Sequence, residues 1–137
     1  MATDHEGILA RYYDVIDGVV DANPADLQAE DFQFEMVFPG LDGRPDERVS
    51  GNKEDARQFR QKLLTRPEGP PARASGSYRR HNIKTIKTVD GVEFMLGEAR
   101  GGRRQGTILA AAQADSEGKM TRYLVVMSSV KFTNTPA

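Results

Sequence analysis

The segment AEDFQFEMVFPG, residues 29–40, is where the chain changes period. Phe32, Phe34, Met36 and Phe38 alternate with Gln33, Glu35 and Val37, which predicts a strand with one buried face. Pro39-Gly40 ends it. Upstream the spacing is helical. Ile8, Leu9, Tyr12, Val15, Ile16, Val19 and Val20 recur every three or four residues, so 6–23 reads as an amphipathic helix with Asp4 as candidate N-cap. Asn23-Pro24 breaks that pattern and opens a second short helix over about 24–30, with Leu27 inward.

Downstream, 40–50 reads as a turn-rich loop. Ser50 or Asn52 caps a third helix over about 53–64, with Ala56, Phe59, Leu63 and Leu64 inward. Residues 66–77 (RPEGPPARASGS) read as a loop. The remainder predicts a meander: strands Tyr78–Val89, Val92–Arg100, Thr107–Ala114 and Met120–Phe132, joined by Asp90-Gly91, GGRRQG and DSEGK. The expected class is α+β, with three N-terminal helices on one face of a curved, mostly antiparallel sheet.

The chain has 137 residues, which suits one domain over 1–137 with its core in about 6–132. No cysteine is present, so disulfides, thiolate metal sites and cysteine nucleophiles are excluded. Two histidines, His5 and His81, leave little for a histidine metal site, and no metal or cofactor is expected. The polar start MATDHEG carries no secretory pattern, and the apolar runs are too short to span a bilayer. The expected location is cytoplasmic. The net charge of −1 hides an asymmetry: 1–55 hold 14 Asp/Glu and 4 Lys/Arg, whereas 56–137 hold 6 and 15. The basic residues are dispersed and not interleaved with aromatics, so nucleic acid is not the expected partner.

Arg11-Tyr12 in the first helix, AEDFQFEMVFPG, SGNKEDARQF and the pair GTILAAAQAD–SEGKMTRYLVV follow one another in an order that resembles the nuclear-transport-factor-2-like superfamily, in its SnoaL-like and ketosteroid-isomerase-like branch. The resemblance covers about 6–132. It implies a cone, a bent sheet wrapped around a long helix, with an apolar pocket at one end. It also implies a homodimer paired through sheet faces. The fold hosts unrelated chemistries, so function must come from the site.

Against the ketosteroid isomerase pattern, Tyr12 matches the tyrosine of the oxyanion hole. The position of the base falls on Met36 and that of the acid on Ala110, neither of which transfers a proton. Against the limonene epoxide hydrolase pattern, one aspartate position falls on Val125, while Glu98 and Arg100 resemble the charged pair. Scytalone-dehydratase-like members use Tyr, Asp and His, and here Tyr13-Asp14 and His81 are available. An imidazole near neutrality takes a proton from a carbon next to a carbonyl, and a tyrosine polarises that carbonyl.

Strand parity supplies a lining. Phe34, Met36 and Phe38 share one face, Ile108, Ala110 and Ala112 another, and Tyr123, Val125 and Met127 a third; Ile16, Phe59 and Leu63 reach in from helices. Small residues at 110–112 leave room for a ligand. The expected function is that of a SnoaL-like enzyme cyclising or isomerising a hydrophobic, carbonyl-bearing polyketide-type molecule. Tyr12 would donate to the carbonyl, and His81 or Glu98 would move the proton. Glu98 is assigned to the inward parity of Phe94 and Leu96. Arg100, Arg103 and Arg104 suit an acidic partner such as a carrier protein. The alternatives are a non-catalytic binding or assembly module, and a dehydratase or epoxide-hydrolase-like enzyme.

Overall fold

The computed structural model describes residues 6–40, 43–64, 81–99 and 106–132. Two α-helices, α1 (Ile8–Ile16) and α2 (Lys53–Leu64), accompany six strands: β1 (Gln28–Phe38), β2 (Glu47–Asn52), β3 (His81–Val89), β4 (Val92–Ala99), β5 (Gly106–Ala114) and β6 (Met120–Ser128). The strands form one sheet in the order β2-β1-β6-β5-β4-β3. The expected meander is present as β3 to β6, antiparallel throughout. β1 joins it parallel to β6, which makes the sheet mixed. Irregular register in β1, β3 and β5 bends the sheet around the helices. The architecture is α+β.

Four expectations are corrected. The first helix stops at Ile16 rather than reaching residue 23. Gly18 turns the chain at φ 75, and the Asp14 carbonyl accepts from both Val19 and Val20 N–H groups, closing the helix end. The second helix is a single 3-10 turn, Pro24–Leu27, capped by the Asn23 side chain accepting from the Ala25 N–H at 3.0 Å; β1 begins at once at Gln28. The segment read as a loop contains β2, which pairs antiparallel with β1, Val49 opposite Met36. Its alternation is carried by Val49 alone among polar neighbours, too weak a signal to separate from a loop. Tyr78 and Arg100, expected in strands, and the 66–77 loop lie outside the described residues, as does Asp4; β6 ends at Ser128, short of Phe132.

The N-terminus of α1 is capped from afar instead. The Glu93 carboxylate on β4 accepts from the Ile8 N–H at 2.9 Å and the Leu9 N–H at 3.1 Å. It satisfies two orphan donors and places negative charge on the positive end of the helix dipole. Gly7 makes this possible: it sits at φ 111, and a Cβ there would run into that carboxylate. For α2, Asn52 and Asp55 form a reciprocal box, each side chain accepting from the other's backbone N–H at 3.0 and 2.9 Å.

The core lies between α1 and the inner face of the sheet. Leu9, Tyr13, Phe32, Ile108 and Met120 are almost wholly buried there. Inner rows run across strands by register, Phe34–Tyr123–Ala112–Glu93 and Met36–Val125–Ala110–Met95. The outer face is apolar as well: Phe94, Leu109, Leu124 and Val126 are exposed. Among the described residues no helix is long and apolar enough to cross a membrane.

Candidate functional site

The last turn of α1 and the first residue of β3 meet at the edge of the core. There the Asp17 carboxylate accepts from the His81 backbone N–H at 3.1 Å, and its other oxygen lies 2.5 Å from His81 Nδ1. Asp17 is 1% exposed and the His81 side chain 13% exposed. A buried carboxylate on Nδ1 fixes the tautomer, with Nδ1 donating and the Nε2 lone pair left over. Nε2 has no hydrogen-bond partner among the described residues. That is the geometry of an oriented general base.

The imidazole lies against Tyr13, ring centroids 4.8 Å apart. The Tyr13 hydroxyl is in turn 2.5 Å from the Tyr123 hydroxyl. One of the two donates, so one phenolic hydrogen of the pair has no acceptor among the described residues. Tyr12 completes the cluster: its ring is 5.2 Å from that of Tyr123, and its hydroxyl accepts from the buried Gln28 Nε2 at 3.3 Å. Burial raises the pKa of all three phenols, so they remain neutral donors across the physiological range. At Tyr12 the Gln28 hydrogen bond and the Arg60 charge offset part of that rise.

Of the sequence-derived lining, Phe34, Ala110, Tyr123, Val125 and Met127 are buried on the inner face. Ile16, Met36 and Phe38 pack against the core but are only half-buried, and Phe59 and Leu63 are half-buried as well. Phe38 and Phe59 stack with centroids 5.9 Å apart. These apolar side chains on β1, α2 and the end of α1 are thus only partly covered by protein.

Glu98 does not join them. The inward residues of β4 are Met95, Gly97 and Ala99, so Phe94, Leu96 and Glu98 belong to the outer face. Glu98 is half-exposed, with Lys84 Nζ 3.8 Å from its carboxylate. β4 carries apolar side chains on both faces, and the bulkier pair, Phe94 and Leu96, lies on the outer one. Sequence reasoning passed over Asp17 because it sits beyond the apolar stripe of α1, and over Glu93 because its partners are 84 and 85 residues away. Arg100, Arg103 and Arg104 lie outside the described residues. Among the described residues no group of three or more His, Cys, Asp or Glu is placed to hold a metal ion.

No protein-family profile matches the chain, and no curated protein sequence does. Solved structures do. A candidate ketosteroid isomerase from Kribbella flavida DSM 17836 superposes with TM-score 0.57 at 15% identity, over 95% of this chain and 81% of that one. An NTF-2-like protein of unknown function from Burkholderia xenovorans LB400 gives 0.56 at 15% identity, over 94% and 84%. A loop-truncation variant of IdmH gives 0.57 at 17% identity, over 86% and 88%. The chain shares its fold with these ketosteroid-isomerase-like and NTF-2-like structures.

Proposed function

We propose that this NTF2-like chain is an acid–base enzyme that cyclises or isomerises a hydrophobic, carbonyl-bearing small molecule of polyketide type. The Asp17–His81 pair carries the reading: a buried carboxylate orients an imidazole whose second nitrogen is available. His81 Nε2 removes a proton from the carbon beside the carbonyl. The resulting imidazolium is stabilised by Asp17. The spare hydroxyl of the Tyr13–Tyr123 pair donates to the oxygen on which enolate charge develops. The apolar side chains Met36, Phe38, Phe59 and Leu63 bind the substrate and exclude water. A dehydration shares the same first step, with loss of hydroxide from the adjacent carbon in place of ring closure or reprotonation.

The exposed outer face, with Phe94, Leu109, Leu124 and Val126, supports a homodimer paired through the sheet. Arg100, Arg103 and Arg104 support carriage of the substrate by an acidic carrier protein.

Proton exchange tests the chemistry without knowledge of the natural substrate. In deuterium oxide, acetylnaphthalene incubated with the protein is expected to lose its methyl proton signal faster than with His81→Gln. A ligand-binding module without turnover is favoured by Met36 and Ala110 at the family's proton-transfer positions. That reading requires the ketone to bind with no exchange above the rate in buffer.

A further inference from the structure

A buried amide lies in the core beside α1. Gln28 follows the 3-10 turn Pro24–Leu27 as the first residue of β1, level with Met120 of β6. It is 6% exposed, and its Nε2 donates to the Tyr12 hydroxyl at 3.3 Å. Other buried polar side chains are tied into the fold: Thr107 Oγ1 donates to the Val130 carbonyl at 2.7 Å, and Asp17 accepts twice from His81. The Gln28 side chain makes its one hydrogen bond among the described residues to Tyr12. An amide offers two N–H donors and an oxygen with two lone pairs. Among the described residues Gln28 Oε1 has no donor, and the phenolic hydrogen of Tyr12 has no acceptor. Burying such groups unpaired is costly.

The two side chains, in hydrogen-bond contact with each other, thus present an unmatched acceptor beside an unmatched donor. With the amide turned over, Tyr12 donates to Oε1, and an Nε2–H and a phenolic lone pair are left, so donor and acceptor are both still present. A hydroxyl group donates and accepts, and answers both. A carboxylate only accepts, and an ammonium only donates. The Tyr12 ring lies 5.2 Å from that of Tyr123, whose hydroxyl pairs with Tyr13 beside His81. Ala110 and Ala112, buried opposite Val125 and Tyr123, add little bulk on that side. We infer that Gln28 and Tyr12 bind a hydroxyl group of the small molecule whose carbonyl meets the Tyr13–Tyr123 pair. The inference rests on the proposed function and narrows its substrate class to hydroxylated ketones. It makes Gln28 a specificity-determining residue, since a substrate lacking the hydroxyl leaves the buried amide unpaired.

Calorimetry with acetylnaphthalene, its ring-hydroxylated isomers and their methyl ethers tests it independently of turnover. At least one hydroxylated isomer is expected to bind about tenfold tighter than the parent ketone. Its methyl ether, which accepts but cannot donate, is expected to lose that gain. Gln28→Met, close in shape and without an amide, is expected to bring the affinities for that isomer and the parent within about twofold of each other. Tyr12→Phe is expected to act in the same direction. Misfolding would weaken every ligand alike, and the methyl-ether comparison needs only the unaltered protein. The assignment is overturned if no hydroxylated isomer binds tighter than the parent, or if Gln28→Met keeps the gain; ketone exchange by His81 would stand in both cases. Failure of all these compounds to bind would remove the small-molecule reading and this assignment together.

Discussion

The Asp17 carboxylate holds His81 at two points, its backbone N–H at 3.1 Å and its ring Nδ1 at 2.5 Å. One contact ties the end of α1 to the start of β3, 64 residues away; the other sets the imidazole. Structure and proposed chemistry thus share one side chain. Asp17→Ala is expected to lower stability by about 1–3 kcal/mol, the scale for removing a buried hydrogen-bond partner. Asp17→Asn keeps the size and an acceptor for the backbone N–H, so it is expected to recover part of that stability. It cannot stabilise the imidazolium, so proton exchange is expected to stay low. Urea unfolding and the exchange assay on the same two variants separate the effects.

Glu93 caps a helix on which it does not lie. Glu93→Ala is expected to cost about 0.5–2 kcal/mol, as for loss of an N-cap. Glu93→Gln retains one acceptor and is expected to fall between. Gly7→Ala forces a side chain onto the same carboxylate at a left-handed backbone position and is expected to destabilise as well. Denaturant midpoints at neutral pH check all three.

The three buried tyrosines give the protein an alkaline limit. Burial has raised their pKa values. Below about pH 10 each phenol is protonated in folded and unfolded chains alike, and adds no pH dependence. Above it the unfolded chain releases protons that the folded chain keeps. The native state then binds more protons, so stability falls as pH rises, by up to about 1.4 kcal/mol per pH unit for each phenol. In a Tyr78→Phe background, tyrosinate absorbance is expected to appear together with loss of secondary structure. Its appearance in the folded protein near pH 10 would contradict the burial of these groups.

Leu109 and Leu124 lie on the outer face of neighbouring strands and are 56% and 43% exposed. A charge at either is expected to leave the fold unchanged and to dissociate a dimer built on that face. Sedimentation of Leu109→Glu at micromolar concentration is expected to report a monomer where the unaltered chain reports a dimer. Identical sedimentation of both would remove the sheet-face interface.

Much of this was legible in the sequence where the signal is local. The alternation around Phe34 and Met36, the cap at Asn52 and the hairpin turn at Asp90-Gly91 each depend on neighbouring residues. The inward side of a strand was legible where one face is plainly apolar, as for Ala110, Val125 and Met127. Glu98 was misassigned because β4 is apolar on both sides, and parity needs a contrast to be read. Asp17 and Glu93 were silent because their partners are distant in sequence. His81 was identified for its chemistry, but only the fold supplies the carboxylate that orients it.

The central claim is that His81, oriented by Asp17, moves a proton at carbon. Its most direct measurement is the rate of methyl hydrogen–deuterium exchange in bound acetylnaphthalene, for the unaltered protein and for His81→Gln. Exchange is expected to fall about 10²–10⁴-fold in the variant, the scale of a lost general base, with ketone affinity little changed. Equal exchange rates in the two proteins would contradict the role assigned to His81.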